Sequence, residues 1–253
     1  MLVQLPNGLV DGMDHFGYAE IDELRGKQQN YLVDRDLVVG NIGHVPKILA
    51  DVVKALQTKE GLVWKGNMAD AIAKLPSGDV ETLLIKIREN TYGPRYYFEA
   101  ECPHCEAINK NLRLDLNSLE MKTFSVEEMI KPKVFTLPKM KVEVELKPLY
   151  IKDLFEVIKI TSNKKNTLIT SLATVSLKRI GDNVKVTEQA VADIPASDLA
   201  WLRDTIQNTV LEGSLDTDIE TTCTSCKKDF KSKLNCYDPS FFDHTRASTT
   251  TNT

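Results

Sequence analysis

The chain has 253 residues, an apolar fraction of 42%, a charged fraction of 27% and a formal net charge of −4. This is the composition of a globular protein able to bury a core, and it excludes collagen-like, coiled-coil and wholly disordered classes. The acidic balance argues against nucleic acid as the main partner, because phosphate recognition draws on a surplus of Lys and Arg. No run of about 18 apolar residues is available for a membrane span. The opening run MLVQLPNGLVDGMDHFGY lacks the basic stretch and apolar block of a signal peptide, so none is expected.

Residues 1–43, rich in Gly, Asn and Asp, read as an extended arm with short strands near Tyr18–Ile21 and Tyr31–Val39. From 44 to 91 the pattern is that of a small helical unit. Val45, Ile48, Leu49, Val52 and Leu56 recur at helical spacing, with Gly61 beyond the end. A second helix covers Met68–Leu75 and stops at Pro76-Ser77-Gly78. Asp79 is placed to cap a third, whose stripe is Leu83, Leu84 and Ile87.

Between 92 and 131 the period changes to two. RYYFEAE reads as a strand, CPHC as a turn and NKNLRLDL as the returning strand, with Leu112, Leu114 and Leu116 on one face. Residues 132–212 read as an inserted α/β region. It holds a hairpin turning near Pro138-Lys139, with Met140, Val142, Val144 and Leu146 on one face, and helices at Tyr150–Thr161, Leu168–Leu177 and Ser197–Leu211. Ser197 is the expected N-cap of the last, and Trp201, Leu202, Ile206 and Val210 its buried face. Residues 213–244 then repeat the strand–turn–strand figure as DIETT, CTSC and KKDFKSKLN, and the polar stretch 245–253 is expected to be disordered.

Four of the five cysteines fall in the two CxxC turns: Cys102 and Cys105, Cys223 and Cys226. Without an export signal the thiols are expected in a reducing compartment, where paired cysteines point to metal or redox chemistry. A CxxC turn between antiparallel strands aims both sulfurs into one concavity and supplies two ligands. Structural zinc takes four, in a tetrahedron. Two such hairpins therefore complete one site, a split zinc ribbon whose halves are 118 positions apart. The expected class is α+β, with two CxxC knuckles on one structural zinc, a largely helical insertion between them and a small N-terminal helical unit.

Two other readings stand beside it. Cys-Pro-His-Cys also occurs in thiol oxidoreductases, which place it at the start of a helix. The basic run Lys227 to Lys233 suits a nucleic-acid-binding zinc ribbon relying on Lys227, Lys228 and Lys231. His104 reads as a spacer and Cys236 as a lone thiol. Glycine-rich phosphate loops, nucleophile elbows and HExxH helices do not occur, so no catalytic residue and no small-molecule substrate is expected. The aromatic group Tyr92, Tyr96, Tyr97 and Phe98 and the pair Phe241-Phe242 suit core packing or docking.

The order GDVETLLIKIREN, YGPRYYFEAECPHC, a long insertion, then GSLDTDIETTCTSCKKDF and a closing Phe pair resembles the baseplate hub assembly proteins of T-even-type tailed bacteriophages. The matching positions are Leu83, Leu84 and Arg88, Tyr96 to Cys105, Gly213 and Asp216 to Cys226, and Phe241-Phe242. The resemblance implies a non-enzymatic, chaperone-like assembly factor or minor component of the tail baseplate hub. It would work through contacts with other hub proteins in the host cytoplasm, with the virion tail as a second location.

Overall fold

The computed structural model describes residues 1–34, 42–163 and 168–243. In chain order the strands are β1 (Leu2–Asp11), β2 (Asp14–Ile21), β3 (Val53–Gln57), β4 (Arg95–Glu101), β5 (Ile108–Asp115), β6 (Met121–Lys122), β7 (Lys133–Thr136), β8 (Glu143–Leu146), β9 (Leu177–Ile180), β10 (Ser214–Leu215), β11 (Asp218–Thr222) and β12 (Asp229–Lys233). The helices are α1 (Gly26–Val33), α2 (Val45–Val52), α3 (Met68–Lys74), α4 (Ser77–Tyr92), α5 (Val126–Ile130), α6 (Ile151–Asn163), α7 (Leu168–Ser176), α8 (Glu188–Ala192) and α9 (Ala196–Asn208). They form a mixed α+β fold whose small sheets, β1-β2-β3, β4-β5, β6-β10, β7-β8-β9 and β11-β12, are all antiparallel.

The N-terminal segment is not an arm. Val3, Leu5, Leu9, Phe16, Ala19, Ile21 and Leu24 are buried in the main core, which they share with α2, α3 and α4. Alternation on β1 and β2 is broken by a bulge between Gln4 and Leu9, and this irregularity hides the strand period in the sequence. Tyr31 to Val33 end a helix rather than forming a strand. The rest of that apolar stretch, through Val39, and the polar tail at 245–253 lie outside the described residues.

The helix expected to reach Leu56 ends at Val52, and β3 follows directly, pairing with β2 from Tyr18↔Gln57 to Ile21↔Val53. The helix buries Val45, Ile48, Leu49 and Val52 and the strand Val53 and Leu56, and because Val52 and Leu56 also stand at helical spacing the pattern alone ran the two together. α4 is the central helix. Val80, Leu83, Leu84, Ile85 and Ile87 are all fully buried, a pattern expected of a helix enclosed on most sides rather than on one stripe.

Residues 133–211 have their own smaller core, formed by Leu137, Val144, Leu146, Ala173, Leu177, Val191, Ile194 and Leu202. The hairpin β7–β8 is as expected, although Met140 sits in its turn and is 39% exposed. The strand β9 and the helix α8 had no sequence signal beyond short apolar runs. Helix α9 starts one residue before Ser197, and the buried Asp198 of its first turn accepts the Lys139 and Met140 N–H groups at 2.8 Å each. This second core docks on the main body through a bridge between Pro76 and Tyr150 and through Ile151, which is buried in the main core.

Two buried polar features tie remote parts of the chain. Arg88 donates to the Phe241 carbonyl at 2.8 Å, and its guanidinium carbon lies 4.7 Å from the Tyr96 ring centroid and 5.5 Å from that of Phe241. The second feature begins at the β1 bulge. Asp79 does not cap α4; its Oδ1 accepts the Asn7 backbone N–H at 2.8 Å and its Oδ2 the Gly8 N–H at 2.9 Å. Asn7 in turn bonds both backbone groups of Gly213, at 2.7 and 2.9 Å. Gly78 packs so closely that a Cβ there would lie 2.1 Å from the Gly213 oxygen.

Burial pushes Asp79 from the ordinary 3.8 up to about 7 against these N–H donors, and it pushes the neighbouring Glu212 from 4.5 up to about 7. Both folded-state values lie above the unfolded ones, so the folded chain takes up protons first as pH falls. The stability they contribute is full below the unfolded values and is lost as pH rises through about 7. With metal in excess, the urea midpoint is expected to rise from about pH 8 to about pH 6. Glu212→Gln should make that rise smaller, and an equally steep rise in the variant would remove Glu212 from the account.

Candidate metal centre

The two CxxC segments occupy the tips of β4–β5 and β11–β12. The tips are built alike. Cys102 N donates to Ala107 O at 3.0 Å and Glu106 N to Cys102 O at 2.8 Å; Cys223 N donates to Lys228 O at 2.9 Å and Lys227 N to Cys223 O at 3.0 Å. The residue after each second cysteine turns the chain back in left-handed backbone, Glu106 at φ 60° and Lys227 at φ 61°. An L side chain costs about 1 kcal/mol or more there. Lys227→Gly is therefore expected to stabilise the fold by about 0.5 kcal/mol or more, measured by urea unfolding, since both the exposed side chain and its strain are dispensable.

The tips face each other. Cys102 Sγ lies 3.7 Å from Cys226 Sγ, Cys105 Sγ lies 3.7 Å from Cys223 Sγ, and all four sulfurs fall within 4.8 Å of one another. A tetrahedron with arms of about 2.3 Å has edges of about 3.8 Å, whereas a disulfide requires about 2.05 Å. The spacing thus suits four sulfurs around one ion and no sulfur–sulfur bond, and all five cysteines are free. Cys102 and Cys223 are fully buried and Cys105 is exposed at the mouth.

Electrostatics agree with that geometry. The Cys226 and Ser225 N–H groups lower the Cys223 thiol to about 6. The Lys228 N–H favours the Cys226 thiolate, but burial and the three neighbouring sulfurs raise it to about 11. Four thiols this close cannot all ionise unless a cation sits between them. The chemistry available is therefore that of a soft divalent metal held in a closed, all-sulfur set.

Asn109 is the residue that sequence reasoning missed. Fully buried, it accepts the Thr224 N–H at 2.7 Å and the Thr224 hydroxyl at 2.9 Å through Oδ1. Its Nδ2 faces the Ala100 and Ala107 carbonyls and lies 3.7 Å from Cys223 Sγ. One amide thus locks the first hairpin to the second beside a sulfur. In the second hairpin the matching place, four after the last cysteine, holds the buried Phe230. A polar residue in a strand position expected to be exposed looks ordinary, so the sequence carried no signal for it. On the zinc reading, Asn109→Ala is expected to weaken metal affinity by roughly 10- to 100-fold in competition with a chromogenic chelator, as loss of an outer hydrogen-bond partner does at metal sites.

The other sequence candidates fall outside the cluster. His104 Nε2 approaches the Asp229 carbonyl at 3.3 Å. Cys236 is 1% exposed and packs in the main core with Phe241 and Phe242. Tyr96 and Phe98 join that core as well. Lys227 and Lys228 are exposed at the second tip, while Lys231 pairs with Glu220 at 3.3 Å. The first CxxC stands between antiparallel strands and not at a helix N-terminus, where thiol oxidoreductases carry theirs. Among the described residues no helix is long and apolar enough to cross a membrane.

Fold and site together define a two-core α+β protein in which paired CxxC hairpins bring four thiols from remote parts of the chain into one cluster. Residues 44–240 match the family described as T4 bacteriophage base plate protein, and the chain belongs to that family of phage baseplate proteins. No curated protein and no solved structure matches it.

Proposed function

We propose that the chain is a non-enzymatic assembly factor or minor component of the tail baseplate hub. It works through contacts with other hub proteins, first in the host cytoplasm and then in the tail, and one structural zinc on Cys102, Cys105, Cys223 and Cys226 holds its body together. The observation that carries this reading is the closed four-sulfur cluster in a chain of the baseplate family. A catalytic zinc keeps one position open for water or substrate, whereas four protein thiolates fill a tetrahedron. Zinc in such a set contributes folding energy, which suits a part whose task is to present surfaces.

Metal analysis of the purified chain is expected to find about one zinc per chain. Absence of metal, with four thiols titrating freely in the native state, would refute the zinc assignment. Affinity purification of the tagged chain from infected cells should recover other baseplate proteins. Their consistent absence would defeat the assembly reading independently of the metal.

A further inference from the structure

Beside the β1 bulge, between α5 and the start of α6, the surface folds into a cleft of about 410 Å³. Val10, Met129, Ile130, Pro148 and Tyr150 give it an apolar lining, and Lys74 and Lys152 stand at its rim. Val10 is 40% and Ile130 69% exposed, a costly display for large aliphatic side chains on adjacent elements. Helix α5 buries none of its five residues, and an isolated turn of helix has no stability of its own in water. Its capping box, Ser125 with Glu128, defines the turn, while Val126 and Met129 on its apolar side are only half-buried and Ile130 is exposed.

The lining of the cleft holds two cations and no carboxylate; the Asp153 and Glu212 carboxylates stand close to the Tyr150 ring, and Asp153 is already paired with Lys147. Among the described residues neither Lys74 nor Lys152 forms an ion pair, although the chain as a whole is acidic. Lys152 Nζ lies 5.4 Å from the Tyr150 ring centroid, and Lys147 Nζ covers the same ring at 5.6 Å while paired with Asp153. Two uncompensated cations flanking an apolar depression raise the local concentration of a partner with the opposite pattern. A concave site of this volume holds one or two side chains, so it suits a polypeptide better than the broad face of a membrane.

We propose that this cleft docks an acidic, apolar polypeptide segment of another baseplate protein. A large apolar side chain of that segment sits against Val10, Ile130 and Tyr150, and its flanking carboxylates pair with Lys74 and Lys152. The assignment rests on the protein-contact reading above and narrows it to one surface.

The test uses the full chain, tagged and expressed during phage infection, with the photo-crosslinker benzoylphenylalanine replacing Ile130. A control carries it at Val184, which is 78% exposed in the second core region. The expected result is a position-130 adduct, mapped by mass spectrometry, to a segment of another baseplate chain in which Asp or Glu flanks Leu, Ile, Met or Phe. Lys74→Glu with Lys152→Glu should cut that adduct about tenfold, as reversal of rim charges slows association, while thermal melting stays unchanged. No adduct at position 130, an adduct to a basic segment or to a second copy of this chain, or an undiminished yield in the reversed-charge variant would each overturn the cleft assignment. If the tagged variant still co-purifies with baseplate proteins in those cases, the assembly reading survives and only the surface is wrong. If the unmodified chain recovers no baseplate protein, both fall together.

Discussion

Cys223→Ser is expected to abolish zinc retention and to lower the folding free energy by at least about 4 kcal/mol, because structural zinc contributes roughly 10–16 kcal/mol as folding energy in small domains. That loss is a large share of the 5–15 kcal/mol or so that stabilises an ordinary domain. The position makes the effect severe. Cys223 is fully buried, 3.7 Å from Cys105, and receives the Cys226 and Ser225 N–H groups, so serine leaves both the cluster and the turn short of a sulfur. Zinc content and the urea midpoint report the outcome together. Cys236→Ser is the control: its thiol packs in the main core outside the cluster, so zinc content should be unchanged even if stability drops slightly. Full zinc content in the Cys223 variant would mean that the cluster is not the metal site.

Asp79→Ala should have the second largest effect, about 3 kcal/mol or more of folding free energy, since each buried donor left without a partner costs about 1–3 kcal/mol. The Asn7 and Gly8 N–H groups lose their acceptors, and the bulge that carries them loses its hold on α4. Asn7 also bonds Gly213, so the damage reaches a third segment, 206 residues away in sequence. Asp79→Asn keeps one carbonyl acceptor and should lose about half as much. Urea unfolding of the two variants side by side gives the comparison; equal losses would show that packing, not acceptance of the two N–H groups, is what Asp79 supplies. The four-sulfur cluster and this polar node work alike, each joining residues more than 100 positions apart.

Several of these features were legible in the chain. The change of period from helix to strand after Gly93 located β4 and β5, and the echo of that figure at 218–233 located β11 and β12. Four cysteines with matching flanks implied one shared site, because half a tetrahedron is of no use alone. Periodicity also placed α2, α3, α4, α6, α7 and α9 to within a few residues.

What the chain could not disclose depended on distant partners. The N-terminal strands were hidden by the Leu5–Gly8 bulge, whose irregular pairing destroys alternation and becomes stable only when Asp79 accepts its amides. Val53–Gln57 was read as helix because its buried residues, Val53 and Leu56, are three apart and continue the spacing of α2, and hydrogen bonding to β2 decided the matter. Asn109 looked like a polar strand residue until the second hairpin supplied Thr224 and Cys223. The four cysteines and their grouping in two turns were thus written locally, in CxxC and its flanking alternation. Which sulfurs meet, at 3.7 Å across the two tips, and which amide locks them there, are long-range facts that only the folded chain could decide.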